Sequence, residues 1–285
     1  MTRTTLFRLI PATLLLAVSC TAPSQSADQE PAPASQTDLS RWQVWDLSYP
    51  FNDETIYWPT AEGFQLHKGP EGVTEKGYFY NANTFEGAEH GGTHLDAPYH
   101  FYQDSYKVGE VPVQQFLGPA LVVDISNQVA ENRDYLVTVE DLESWEEAHG
   151  AIEEGAIVLL HTGFGQYWPD AEAYLGTAQR GQEAVPMLSF PGLSEEAANW
   201  LAEQRGIDAV GIDTASIDYG RSQDFKAHVA LARHNVLIFE NVASMDSLPR
   251  RGAQVVALPM KIEQGSGAPL RIIALAPPAV GDSEE

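Results

Sequence analysis

The chain has 285 residues, 44% of them hydrophobic, and a formal net charge of −24. That length and apolar share suit a globular protein with a sizeable core. The acidic surface repels phosphate and excludes nucleic acid as a partner, and the single cysteine excludes an internal disulfide.

Residues 1–20 read as an export segment. Arg3 and Arg8 form a basic start, and Leu9 to Val18 is an apolar stretch too short for a spanning helix. It ends at Leu16-Ala17-Val18-Ser19-Cys20. A cysteine behind small residues at this point resembles a bacterial lipoprotein cleavage site, although Ala17 stands where Leu is commoner. The expectation is an acylated Cys20, an exported cell-envelope protein, and membrane attachment only through the lipid anchor. Residues 21–40 are rich in Ser, Gln, Pro and Ala and read as a flexible tether. Residues 41–280 remain as the folded domain. It has no cysteine, so thiol catalysis and thiolate metal ligands are ruled out there.

The domain opens with Trp45-Asp46-Leu47-Ser48-Tyr49-Pro50, a strand running into a long loop that carries Ile56-Tyr57-Trp58-Pro59. Tyr78 to Phe85 reads as one strand. Pro119 to Ile125 is a buried strand. Thr138, with Asp141 three residues on, caps a helix whose apolar face includes Leu142 and Trp145 and which Gly150 ends. Ala156 to Leu160 is a second buried strand, followed by His161. Ser194 caps a helix that runs through Trp200 to Gly206. Ile207 to Ile212 and Val236 to Phe239 are further strands, the second ending at Glu240-Asn241. Val255 to Pro259 and Leu270 to Leu275 are the last two. Buried strands mixed with a few helices indicate one α/β domain.

Chemistry concentrates in His90-Gly91-Gly92-Thr93-His94-Leu95-Asp96-Ala97-Pro98-Tyr99-His100. Imidazole nitrogens and a carboxylate are the usual ligands of a catalytic divalent ion. The glycines and proline make a loop rather than a helix. Where the run becomes extended, His94 and Asp96 point to one face. Far downstream, His228 precedes a strand that Glu240 closes. His67, His149, His161 and His234 read as structural or surface residues. The chain has no Gly-x-Ser-x-Gly elbow, P-loop, dinucleotide fingerprint or His-Glu-x-x-His.

The run matches His-x-Gly-Thr-His-x-Asp-x-Pro-x-His and so resembles the metal-dependent cyclase-like hydrolases, a family that includes bacterial kynurenine formamidase and isatin hydrolase. The resemblance implies a swivelling β/β/α domain with a mixed, partly barrel-like sheet and flanking helices. It implies that His90, His94 and Asp96 hold one divalent ion and that Asp96 bridges to a second held by His228 and Glu240. One or two ions per subunit are expected, zinc or manganese, since this ligand set suits both. His100 would be the catalytic acid/base. Trp58, with Tyr57 and Phe64 beside it, would line the substrate pocket. Independently of the resemblance, Asp213, Thr214 and Ser216 at the end of a strand read either as supports that orient the ligands or as turn formers. The implied activity is hydrolysis of a small aryl amide or lactam by a homodimer or larger homo-oligomer. The alternative is an envelope-anchored protein that binds a metal or small ligand without catalysis.

Overall fold

The structure is a computed structural model that describes Met1 and residues 38–278. Cys20 and nearly all of the expected tether lie outside the described residues. In chain order the strands are β1 (Gln43–Asp46), β2 (Gln65–His67), β3 (Glu71–Val73), β4 (Phe79–Asn81), β5 (Thr84–Glu86), β6 (His94–Asp96), β7 (Leu117–Asp124), β8 (Leu136–Val137), β9 (Ile157–His161), β10 (Gly192–Leu193), β11 (Ala209–Ile212), β12 (Leu237–Glu240), β13 (Ala253–Pro259) and β14 (Gly267–Ala276). The helices are α1 (Ser126–Glu131), α2 (Val139–His149), α3 (Ala171–Leu175), α4 (Glu195–Trp200) and α5 (Lys226–Arg233).

The apolar runs β7, β9, β11 and β12 lie side by side in parallel. Strands buried on both faces read as continuous Val, Leu and Ile, as these do. β6 joins β12 antiparallel, the start of β14 joins β6, and β13 links β14 back to β7. The main sheet has eight strands, and all but β1 close into a ring, with β1 added beside the far end of β14. The fold is therefore mixed α/β with a barrel-like sheet and few flanking helices.

Strand alternation divides the core in two. Leu121, Val123, Val158, Leu160, Val210 and Ile212 face outward and pack under Leu142, Trp145, Leu201 and Leu231 of the helical layer. Ala120, Val122, Ile157, Leu159, Leu237 and Phe239 face inward, against Leu95, Val255 and Ile272. Both sets are buried, which is why the polar alternation of a half-exposed strand is absent from the sequence.

Helix α2 begins as expected. Thr138 and Asp141 form a reciprocal capping box, and Gly150 follows the last turn. Trp145 locks it to the sheet by donating from Nε1 to the Val122 carbonyl at 2.8 Å. Ser194 caps α4, which widens into a π-type turn over Leu201–Arg205 before Gly206.

One expectation needs correction, and one element was unforeseen. Tyr78 to Phe85 is not one strand. It breaks at Ala82 and Asn83, where the Gly69 N–H donates to Asn83 Oδ1 and the Ala82 N–H donates to the Pro70 carbonyl. Its halves are β4 and β5, paired with β3 and β2 in an exposed ribbon. Helix α5 was not among the expected elements. Phe225, at its N-cap position, has φ of 48° and makes no side-chain cap. The N–H groups of its second and third residues, Ala227 and His228, instead donate to the carboxylate of Asp218, at 3.1 Å each. A cap supplied from that far upstream leaves no local start signal.

Candidate metal centre and its pocket

The parallel strands end on one edge of the barrel, and the chemistry collects there. Antiparallel pairing puts Glu240 opposite His94 and Ile238 opposite Asp96. Directly opposed residues present their side chains to the same face. His94 and Asp96, two apart on β6, share that face with Glu240. Helix α5 brings in His228, and the loop before β6 brings in His90. His94, Asp96, His228 and Glu240 are all buried.

The geometry fixes how each imidazole is held. His94 Nδ1 donates to the Gly92 carbonyl at 3.0 Å, leaving Nε2 facing Asp96 Oδ1 at 3.1 Å and Glu240 Oε2 at 3.4 Å. His228 Nδ1 donates to Asp218 Oδ2 at 2.7 Å, leaving Nε2 facing Glu240 Oε1 at 3.1 Å and Asp96 Oδ2 at 3.2 Å. His90 Nε2 bonds to Ser266 Oγ at 2.9 Å, and that hydroxyl donates onward to Glu89 Oε2 at 2.8 Å. His90 Nδ1 is then left facing Asp96 Oδ1 at 2.6 Å. Each ring is thus tied down on its far nitrogen by a carbonyl, a carboxylate or a hydroxyl–carboxylate relay, the arrangement that orients metal-ligating histidines. Asp96 turns Oδ1 toward His90 and His94, and Oδ2 toward His228.

These residues fit a divalent cation. His94 Nε2 is fully buried yet has no hydrogen-bond partner, although two carboxylates face it. Burial disfavours charge on His94, but Asp96 and then Glu240 outweigh it and draw its pKa up. His228 behaves alike: Asp218, Asp96 and Glu240 overcome burial and raise it well above its ordinary value. Asp96 pays for burial too, yet His90, His228 and His94 hold it well below the usual carboxylate range. Positive charge therefore belongs among these groups. A divalent ion supplies it while leaving the imidazoles neutral, as ligands must be.

His100 ends the short helical turn Pro98–His100 and stacks on His90, with ring centroids 3.8 Å apart. Its edge remains open to solvent, and Phe101 packs against it at 4.4 Å. Desolvation pushes its pKa down to about 4; Asp96 opposes this, and the neighbouring imidazoles reinforce it. The ring is a neutral proton acceptor at ordinary pH. His90, Asp96 and His100 converge as one group of potential ligands, and His94, Asp96 and Glu240 as another.

The centre lies at the base of a pocket of about 310 Å³, with Tyr57, Trp58, Phe101 and Phe225 among its walls. Trp58 and Phe101 each contact Phe225, at 6.4 and 5.3 Å between ring centroids. Phe64 is a correction. It lies outside this pocket and lines a neighbouring apolar hollow with Phe51 and Phe85. Tyr57 borders both, which is why adjacency in sequence misplaced Phe64.

The two readings of Asp213, Thr214 and Ser216 separate here. The Asp213 carboxylate accepts from Thr162 N at 2.8 Å and from Gly163 N at 3.0 Å, so it shapes the turn after β9 rather than a ligand. Thr214 Oγ1 donates to the Ser216 carbonyl, and only Ser216 of the three lines the pocket. Asp218 and Ser266 instead contact His228 and His90, while Glu89 holds Ser266 and Asn241 holds the Gly92 carbonyl. Asp218 and Asn241 stand next to runs the sequence had marked, but only tertiary pairing gives them a partner. The other four histidines lie away from the pocket, with His67 beside Glu86, His234 beside Glu203, His149 against Trp145 and His161 beside Asp124.

Residues 45–219 match the family model named Cyclase. The chain is 32% identical over 224 residues to an isatin hydrolase of Roseibium aggregatum, covering 75% of this chain and 82% of that protein. It is 28% identical over 228 residues to a kynurenine formamidase of Bacillus cereus, covering 80% and 95%. Its fold is similar to isatin hydrolase A from Ralstonia solanacearum, with a TM-score of 0.75 at 33% identity over 83% of this chain and 93% of that one.

Proposed function

This chain belongs to the Cyclase family, and we propose that it is a metal-dependent hydrolase of a small aryl amide or lactam. The observation that carries the reading is the set of three tethered imidazoles whose free nitrogens face Asp96 and Glu240. His90, His94, Asp96, His228 and Glu240 would hold one or two ions, and nitrogen and oxygen donors of this kind accept zinc or manganese. A bound divalent ion supplies Lewis-acid polarisation of the carbonyl and lowers the pKa of water.

The chain's own residues do the rest. His100 takes the proton of the attacking water and delivers it to the leaving nitrogen as the C–N bond breaks. The Ile217 N–H donates to Glu240 Oε1 at 2.8 Å and holds that carboxylate toward the imidazoles. Trp58, Phe101 and Phe225 offer ring faces and edges to an aryl group, and the pocket volume limits the substrate to a small molecule. N-formylkynurenine, losing formate, and isatin, opening its lactam, are the substrates to try first. The test is to incubate purified protein with each in parallel and follow product formation. Turnover of one identifies the bond cleaved. No turnover of either, in protein that holds metal, overturns the aryl amide reading.

The proposal includes export as a lipoprotein acylated at Cys20, with residues 21–40 as tether and residues 41–280 as the catalytic domain. Partition of the full chain into the detergent phase, lost in Cys20→Ala, tests it. It also includes a homodimer or larger homo-oligomer. The exposed ribbon supports that reading, because Leu66, Val73, Phe79 and Phe85 there are each more than half exposed, and two-stranded ribbons are marginal alone.

A further inference from the structure

Asn241 directly follows Glu240, and the reaction outlined above gives it no task. It is buried, at 2% exposure. Its Nδ2 donates to the Gly92 carbonyl at 2.7 Å, and its Oδ1 accepts from the Tyr174 hydroxyl at 2.9 Å. That Gly92 oxygen is the one that accepts from His94 Nδ1 at 3.0 Å. The Asn241 backbone carbonyl accepts from Thr93 Oγ1 at 2.7 Å. One side chain and its own backbone therefore grip both residues that precede His94.

The orientation of the amide follows from its neighbours. Gly92 O is acceptor only, so the NH₂ group must face it and the amide oxygen must face Tyr174. The Tyr174 hydroxyl shares its proton between that oxygen and the Asp213 carbonyl, at 2.9 Å each. Asn241 also has φ of 51°, a left-handed conformation that Asn, Asp and Gly adopt most readily. Gly92, with φ of 57°, turns its carbonyl inward from the other side. Both partners of the bond are held in backbone conformations that few residues accept, and such conformations gather at functional sites.

We propose that Asn241 is a positioning residue for the metal centre. It clamps the Gly92 carbonyl so that His94 keeps its proton on Nδ1 and presents Nε2 to the ion. Tyr174 in turn fixes the amide. The inference rests on the metal reading above, and deepens it by tying the ligand geometry of β6 to the end of β12.

Asn241→Asp keeps the size and the left-handed backbone but sets an acceptor against the Gly92 carbonyl. Asn241→Gly keeps the backbone and removes the clamp. Tyr174→Phe leaves Asn241 in place and removes its support. The experiment titrates the metal-free full chain with zinc, then with cobalt(II) for its ligand-field spectrum, alongside thermal melts. Loss of an outer partner of a ligating histidine typically weakens metal binding about 10- to 100-fold. That loss is expected in Asn241→Asp and Asn241→Gly, with altered cobalt bands, and a smaller loss in Tyr174→Phe. Should Asn241→Asp fail to fold, Asn241→Gly decides the matter. Zinc affinity and cobalt bands equal to wild type in a folded variant, with only the melt lowered, overturn this proposal alone. A wild-type chain that binds neither ion overturns the metal reading and this proposal together.

Discussion

At the scale of single residues, each histidine's role is set by what holds the nitrogen turned away from the centre. Asp218 holds that nitrogen of His228 and also caps α5, so it sets both a ring and the helix that carries it. In Asp218→Asn one carboxylate oxygen becomes a donor, and one of those bonds must fail. Metal affinity or turnover should fall about 10- to 100-fold, measured by zinc titration and initial rates. His100 differs in kind: among the described residues its ring is held by packing on His90 and Phe101 rather than by a hydrogen bond. His100→Gln should keep the bound metal while kcat falls by about 10²–10⁴. Metal content measured beside kcat separates an acid/base from a ligand. It also separates an enzyme from a metal-binding protein, which has no need of such a group.

At the scale of elements, the sequence made some structure plain and hid the rest for physical reasons. The buried strands were legible because β7, β9, β11 and β12 need apolar side chains on both faces. Helix α2 was legible because its cap is local. Replacing Thr138 with Ala should cost about 1 kcal/mol of stability and leave turnover unchanged, as chemical denaturation and rates on one preparation would show. The clustering of the His90–His100 run was legible because its residues are adjacent in sequence and alternate on β6. Helix α5 and the supports at Asp218, Asn241 and Glu89–Ser266 were not, because their partners meet only when the ring closes. Phe64 was misplaced because the loop carrying Tyr57 and Trp58 turns it toward Phe51 and Phe85. Gly91 was legible as a loop residue, but its close packing was not: a Cβ there would lie 2.1 Å from the Tyr57 ring. Gly91→Ala must displace Tyr57 from the pocket wall. Its KM for an aryl substrate should rise, with a lower melting temperature.

At the scale of the whole molecule, closure of the sheet does the functional work. The β6–β12 and β6–β14 pairings bring the His90–His100 run against Glu240 and Ser266, which lie far apart in the chain. Charge is distributed to match. Asp96 and Asp218 both titrate below the usual carboxylate range, despite burial, because imidazoles face them. Away from the centre, Asp124 is held down to about 2: partial burial opposes this, but the donors of Ser126 together with His161 and Arg250 outweigh it. Its folded pKa lies below the unfolded value of about 3.9. The stability it contributes is therefore complete above that value and disappears as pH falls toward about 2. Asp124→Asn should narrow the stability difference between about pH 5 and about pH 2, read from denaturant midpoints. If the chain is the hydrolase proposed, turnover depends on a divalent ion held by the residues that these pairings bring together. The most direct measurement strips the purified protein with a chelator, confirms metal loss, and follows hydrolysis of isatin and N-formylkynurenine before and after zinc or manganese is restored. Stripped protein is expected to be inactive, and either ion to return turnover of one substrate in wild type but not in Asp96→Asn. Full turnover by protein shown to be free of metal would contradict it.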